Sequence, residues 1–320
     1  MSRLAVRCGP LELANPVLAA SGTFGYGDSF QRFFPLDALG GFVTKTLFLA
    51  PRPGNPPPRI AESAAGMLNS IGLANIGWDR FVAEKAPAVN AIRGRARMLV
   101  NIAGNAPEEY HRIAERVEAD RGAVAPVGIE VNVSCPNVKE GGTNIGCHLG
   151  QFRETVRGVR AATSLPVFVK LSPNVADVVP FAACAAEEGA DGVSIINTLY
   201  GMRIDVESRR PVLGTGSGGL SGPAILPVGV HWTYRVRAAL PDLPILGIGG
   251  IADWRDALEY LLAGAQAVQV GTAAFVHPTA GPEIVAGLDR WCAERGTTIE
   301  RVVGAAHRSG ELADEAVWTG

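Results

Sequence analysis

A chain of 320 residues, 47% of them hydrophobic, can bury a large core and has the length that a single α/β barrel needs. A formal net charge of −2, a pI near 6.2 and the lack of any basic cluster argue against nucleic acid or an anionic membrane as partner. Five scattered cysteines, Cys8, Cys135, Cys147, Cys184 and Cys292, form no C-x-x-C pair, so they offer neither a disulfide framework nor an iron–sulfur or metal site. The opening residues M-S-R-L-A-V-R-C-G-P lack the apolar run of a signal peptide. The uncharged stretches 211–234 and 261–282 are cut by Gly and Pro, unlike a membrane span, so the expectation is a soluble, cytoplasmic protein.

Residues 4–13, broken by Gly9-Pro10, read as a short hairpin. Eight short apolar runs then follow, at 16–20, 41–44, 98–100, 128–133, 166–169, 192–196, 244–247 and 267–270, with helix-like segments between them. Strands alternating with helices imply a parallel sheet, and eight of them imply one closed (β/α)8 barrel over 1–320. The helix at 107–120 places Tyr110, Ile113, Ala114 and Val117 on one face. After the fifth run Asn174 is the expected N-cap, with Asp177 at the third helical position and Gly189 as the stop. G-A-D-G-V at 189–193 and G-A-Q-A-V at 264–268 echo one another, each joining a helix to the next strand. Two insertions, 47–76 and 199–221, follow strands and so belong to the C-terminal face, where barrels build active sites.

The residues just past the runs are Ser21, Lys45, Asn101, Asn132 with Cys135, Lys170, Asn197, Gly249-Gly250 and Gly271-Thr272. Capping at a sheet edge would explain any one of them, but not eight polar or glycine positions converging on one mouth. In G-I-E-V-N-V-S-C-P-N-V-K-E-G-G, at 128–142, a buried strand breaks at Pro136 and leaves Cys135 between Asn132 and Asn137 at its open end. G-I-G-G-I at 247–251 and V-G-T-A at 270–273 follow the last two runs, where barrels commonly bind a phosphate. Lys45 and Lys170 place cations where charge gathers on a cofactor or intermediate. A thiol, two lysines and several amides, without a strand-end His or carboxylate pair, suit proton abstraction and cofactor-assisted hydride transfer better than hydrolysis. The G-T-G-S-G-G at 214–219 satisfies G-x-G-x-x-G but opens no helix, and the five histidines lack metal-ligand spacing.

N-P-V-L-A-A-S-G-T-F-G at 15–25, V-T-K-T at 43–46, M-L-N-S-I-G-L at 67–73, N-V-S-C-P-N-V-K at 132–139, V-K-L-S-P-N-V at 169–175, I-N-T-L at 196–199 and G-G-L-S-G-P-A at 218–224 occur in this order. Together they resemble dihydroorotate dehydrogenase, and most of all the class 1B catalytic subunit. The resemblance implies a flavin-dependent barrel that oxidises dihydroorotate to orotate in pyrimidine synthesis. It implies Cys135 as the base that takes the proton from ring carbon 5 while hydride leaves carbon 6 for FMN. It implies FMN contacts from Ser21, Lys45, Thr46, Asn101, Asn132, Lys170, Ile196, Gly222, Gly249, Gly250, Gly271 and Thr272. Orotate contacts are implied for Lys45, Asn69, Ser70, Ile71, Gly72, Leu73, Asn132, Asn137, Asn197 and Thr198. Orotate offers ring N–H donors and carbonyl acceptors, and an amide side chain supplies a partner for each. The run T-N-I-G-C-H-L-G after Gly142 departs from the family pattern.

The resemblance also implies how electrons leave. The chain has no cysteine cluster and no nicotinamide fold of its own, so a class 1B enzyme would pass them to a second subunit carrying FAD and [2Fe–2S], and thence to NAD, around a barrel homodimer within a heterotetramer. Three alternatives compete: a dihydropyrimidine dehydrogenase-like enzyme reducing uracil or thymine, a class 1A enzyme using fumarate, and a flavin-free sugar-phosphate isomerase or lyase. N-V-K after S-C-P, with Lys45 available for a carboxylate, favours orotate over uracil.

Overall fold

The structure, a computed structural model, describes residues 2–133 and 145–308. Eight strands close into a parallel ring: β1 (Val17–Ala19), β2 (Gly41–Val43), β3 (Arg97–Ile102), β4 (Gly128–Asn132), β5 (Val167–Lys170), β6 (Gly192–Ile195), β7 (Ile245–Ile248) and β8 (Ala267–Val270). They follow sequence order around the ring, and β8 returns to β1 through Val270↔Ala19 and Val268↔Val17. All eight expected runs are strands, each within two residues of its expected bounds. Every residue of β4 to β8 is buried, because helices cover the outside of the ring while side chains fill its inside.

The helix Pro107–Ala119 buries Tyr110, Ile113, Ala114 and Val117, the face expected from its period. The segment after β1 differs. In place of a helix it makes two single turns, Asp28–Phe30 and Leu36–Ala38, held by Phe24 stacked on Phe30 at 4.2 Å. The helix after β5 starts later than expected, at Val179–Glu187, with Asp177 Oδ1 accepting from the Val179 N–H at 2.9 Å. Asn174 does not cap it: its Nδ2 donates to the Thr198 carbonyl and its Oδ1 accepts from the Tyr200 N–H, so the residue ties β5 to the second insertion. Gly189 does end that helix, at φ +82°.

The N-terminal hairpin pairs Val6–Cys8 with Leu11–Leu13 around Gly9, whose φ of +56° suits glycine. Its Cys8 Sγ donates to the Ile245 carbonyl, which seats the hairpin against the start of β7, at the end of the barrel away from the site. At the other end the two insertions pair with each other. Leu199–Gly201, Gly218–Ser221, Gly66–Asn69 and Ile60–Ser63 form one four-stranded antiparallel sheet, in that order, with Gly219 opposite Asn69. The 218–219 glycines lie in a strand of this sheet, so the G-x-G-x-x-G match opens no helix.

Tyr260, on the helix Trp254–Leu262, reaches under the end of β7, where its hydroxyl donates to the carbonyls of Ile248 and Gly249 at 2.8 Å each. The approach is close enough that a Cβ at Gly229 would collide with that hydroxyl, and one at Gly247 with the ring. Gly229→Ala is therefore expected to cost about 1–3 kcal/mol by overpacking, read from urea unfolding. In a Tyr260→Phe background the same change should cost less, because the worst collision is gone and only the ring's Cζ, at 2.8 Å from the added Cβ, must still give way; equal penalties would contradict this packing.

Candidate active site

The C-terminal ends of the strands and the four-stranded sheet enclose a cavity of about 810 Å³. That is within the usual volume of a small-ligand or cofactor site, about 300–1,000 Å³. The strand-end residues meet there: Ser21, Lys45, Asn132, Lys170, Asn197, Gly249, Gly250, Gly271 and Thr272 all lie on its wall. Thr46, Ile196 and Gly222 also line it, as do Asn69, Ile71, Gly72, Leu73 and Thr198 from the insertions and the loop after β6.

Two expected contacts do not reach the wall. Asn101 was placed just past a strand ending at residue 100, but β3 runs on to Ile102, so Asn101 sits inside the ladder opposite Glu130 and is fully buried below the cavity. Ser70 follows Asn69 at the end of the strand Gly66–Asn69 and faces the other way. Its hydroxyl bonds Thr215 Oγ1 at 2.6 Å and accepts from Asn55 Nδ2 at 2.8 Å. Cys135 and Asn137 lie outside the described residues, as does the start of the T-N-I-G-C-H-L-G run.

The floor is polar and held in place. Asn132 Oδ1 accepts from Asn197 Nδ2 at 3.1 Å, the Asn132 carbonyl accepts from the Tyr110 hydroxyl at 2.8 Å, and Asn197 Oδ1 accepts from the Thr198 N–H. Asn69 Nδ2 donates to the Gly219 carbonyl at 3.2 Å, which fixes an amide of the cap over the amides of the floor. Leu73 has a left-handed φ of +56°, and Asn75 supports it by donating to the Leu73 carbonyl at 2.9 Å. At the opposite end Thr272 Oγ1 bonds Ser221 Oγ at 2.8 Å, so β8's loop is tied to the cap beside Gly222. Gly249, Gly250 and Gly222 all have positive φ, the backbone that lets a ligand approach closely.

Among the described residues, the titratable groups on the wall are Lys45, Lys170, Glu62 and His277, the last two exposed at the rim. Lys170 is only 6% exposed. The deep part of the cavity therefore carries two lysines and several amides, a field suited to an anionic ligand. Ser21 Oγ is buried with no partner among the described residues, as expected of a group that bonds a ligand.

The four described cysteines, Cys8, Cys147, Cys184 and Cys292, are poorly suited to act as a base in this cavity. Burial pushes the Cys8 thiol up to about 12 against the opposing pull of Arg237, and burial with Asp289 pushes Cys292 to about 11. Burial also raises Cys184, and it raises Cys147, whose Sγ donates to the Asn174 carbonyl at 3.6 Å away from the cavity wall.

The sequence model of the dihydroorotate dehydrogenase family matches residues 3–291. The chain belongs to that family. It is 50% identical over 303 residues to a protein of Pelobacter propionicus and equally to one of Trichlorobacter lovleyi, alignments that cover 94% of this chain and 98% of each relative. A relative from Desulforamulus reducens is 48% identical over 305 residues, 95% of this chain and 98% of its own. All three are named dihydroorotate dehydrogenase B (NAD(+)), catalytic subunit. Among the described residues of this chain, no helix is long and apolar enough to cross a membrane.

One group of residues escaped the sequence reading. Glu130, Ser194 and Gln269 are polar residues inside apolar runs, and all three are fully buried in the barrel. Their signal was the period of two: each faces the lumen, where aliphatic side chains are the rule.

Thiol titration tests this part of the picture. Folding raises the Cys8 and Cys292 thiols above the ordinary thiol value of 9.0, so both should resist alkylation at pH 8 until urea unfolds the chain, as mapped by mass spectrometry. Their contribution to stability is complete below about pH 9 and is lost as pH climbs toward the folded values, so the melting temperature should fall over that window. Labelling of either thiol in the folded protein would contradict their placement.

Proposed function

We propose that this chain is an FMN-carrying dihydroorotate dehydrogenase barrel of class 1B, in which Cys135 is the base and the electrons leave for a partner subunit with FAD and [2Fe–2S], then NAD. The observation that carries the reading is the cavity at the barrel mouth in which a buried lysine, an orphaned serine hydroxyl and three asparagine amides meet. FMN fits the donor set: Ser21, Thr46, Lys170 and Ile196 would hold its ring, and Gly222, Gly249, Gly250, Gly271 and Thr272 its phosphate. Bound there, FMN would supply the hydride acceptor for dihydroorotate oxidation.

The remaining chemistry belongs to the chain. Asn69, Asn132 and Asn197 would orient the substrate ring, since each amide offers a donor and an acceptor, and Lys45 with the backbone at 71–73 would take its carboxylate. Lys170, buried in the floor, would stabilise negative charge as it develops. Cys135, three residues beyond Asn132 in the chain, would take the ring proton from carbon 5. The alignments to relatives named as NAD-linked catalytic subunits favour class 1B over the fumarate-using class 1A and over a uracil-reducing enzyme.

Three outcomes are expected. The purified protein should show oxidised flavin absorption that bleaches anaerobically with dihydroorotate and not with dihydrouracil; a flavin still oxidised at saturating dihydroorotate, or a colourless protein with no extractable FMN, would defeat the reading. Cys135→Ala should keep FMN but reduce it at least about a hundredfold more slowly, and the wild-type rate should rise with pH as the thiol, ordinarily near pKa ~8.5, ionises; a normal rate in Cys135→Ala would assign the base elsewhere. NAD reduction should appear only when the electron-transfer subunit is co-expressed, and efficient fumarate reduction by the chain alone would place it in class 1A.

A further inference from the structure

One buried ionisable group has no part in that mechanism. Glu130 of β4 is fully buried inside the barrel. Its Oε1 accepts from Asn101 Nδ2 at 2.7 Å, and its Oε2 accepts from Ser194 Oγ at 2.7 Å and Gln269 Nε2 at 2.6 Å. The donors come from β3, β6 and β8, so with β4 itself half of the ring commits a side chain to this one carboxylate. Aliphatic side chains would fill the space at less cost, because a buried charge loses its hydration and recovers it only in part from hydrogen bonds. The arrangement costs more again at Asn101 Oδ1 and Gln269 Oε1. With their amide nitrogens turned to Glu130, both oxygens are buried with no partner among the described residues.

Register sets this layer directly beneath the cavity. Glu130 precedes Asn132 by two residues and so shares its inward face. Asn132 pairs across with Lys170, and Lys170 pairs on its other side with Ser194. Asn132 and Lys170 are on the cavity wall, so the carboxylate and its donors form the support on which the cavity's cation and amide stand.

We propose that Glu130 is a positioning residue that sets the electron affinity of the flavin ring, an inference that rests on the FMN reading above. Acceptor-only, it fixes which way Asn101, Ser194 and Gln269 point, and its negative charge opposes electrons added to a ring bound over it. The three donors temper that charge, and Lys170 acts in the opposite sense from the layer above.

The test measures the midpoint potential of the bound flavin by anaerobic dye-linked titration in wild type, Glu130→Gln and Ser194→Ala, with FMN content and affinity read in parallel. Glu130→Gln removes the charge at nearly constant volume, so at a fixed ambient potential its reduced-to-oxidised ratio should rise about tenfold or more, about 30 mV for a two-electron couple. Ser194→Ala keeps the charge and removes one donor, so its ratio should fall. Opposite signs are the signature; a packing defect alone would lower the melting temperature of both variants and leave their potentials unmoved, which would overturn the proposal. Should Glu130→Gln fail to fold, the sign in Ser194→Ala decides alone, and no shift or a rise overturns the proposal. A wild-type protein without FMN defeats the cofactor reading and this proposal together, whereas FMN bound at unchanged potential in both variants defeats this proposal only.

Discussion

A parallel strand has a direction, and a ring of parallel strands closed in sequence order must bring every C-terminal end to the same rim. The cavity at the mouth of the barrel follows from that constraint. Ser21, Lys45, Asn132, Lys170, Asn197, Gly249 and Gly271 are far apart in the chain, and they share a cavity because each follows or ends a strand of one closed barrel. The insertions after β2 and β6 emerge from the same rim, and by pairing Gly219 with Asn69 they turn two long loops into a single lid-like sheet.

The polar floor works against the stability of the barrel. Lys170, Asn132, Asn101 and Glu130 occupy a lumen that aliphatic side chains would fill more favourably, and an unsatisfied buried acceptor costs about 1–3 kcal/mol. A scaffold carries such a burden where it prepares a site: the Asn132 and Asn197 side chains, bonded to one another and to the Thr198 N–H, need no rearrangement when a ligand arrives. The apolar shell around them supplies the offsetting burial, from Leu99, Ile129, Val169 and Leu246 among many others.

The barrel was legible because strands buried on both faces are short continuous apolar runs, and because polar residues at their ends stand out against them. Asn101 shows the limit of that rule. A strand longer by two residues moved it from the mouth into the ladder, and end positions are the least certain part of any such reading. The alternation of the strand it extends turns the Ser70 side chain from the cavity wall to Asn55 and Thr215, which the motif alone does not carry. Asn174 was a chemically sound helix cap, but the cap sheet offered its amide two backbone partners, and tertiary bonding won over local preference. The cap sheet itself could not be read locally, because it pairs Asn69 with a glycine 150 residues away.

The central proposal is that one cavity, between the polar floor and the cap, takes both FMN and the substrate. A crystal structure of the protein grown with FMN and orotate tests it most directly. The account predicts FMN along Ser21, Lys170, Gly250 and Thr272, with orotate against Asn69, Asn132, Asn197 and Lys45. Orotate bound outside this cavity, or FMN whose phosphate lies away from the β7 and β8 loops, would contradict it.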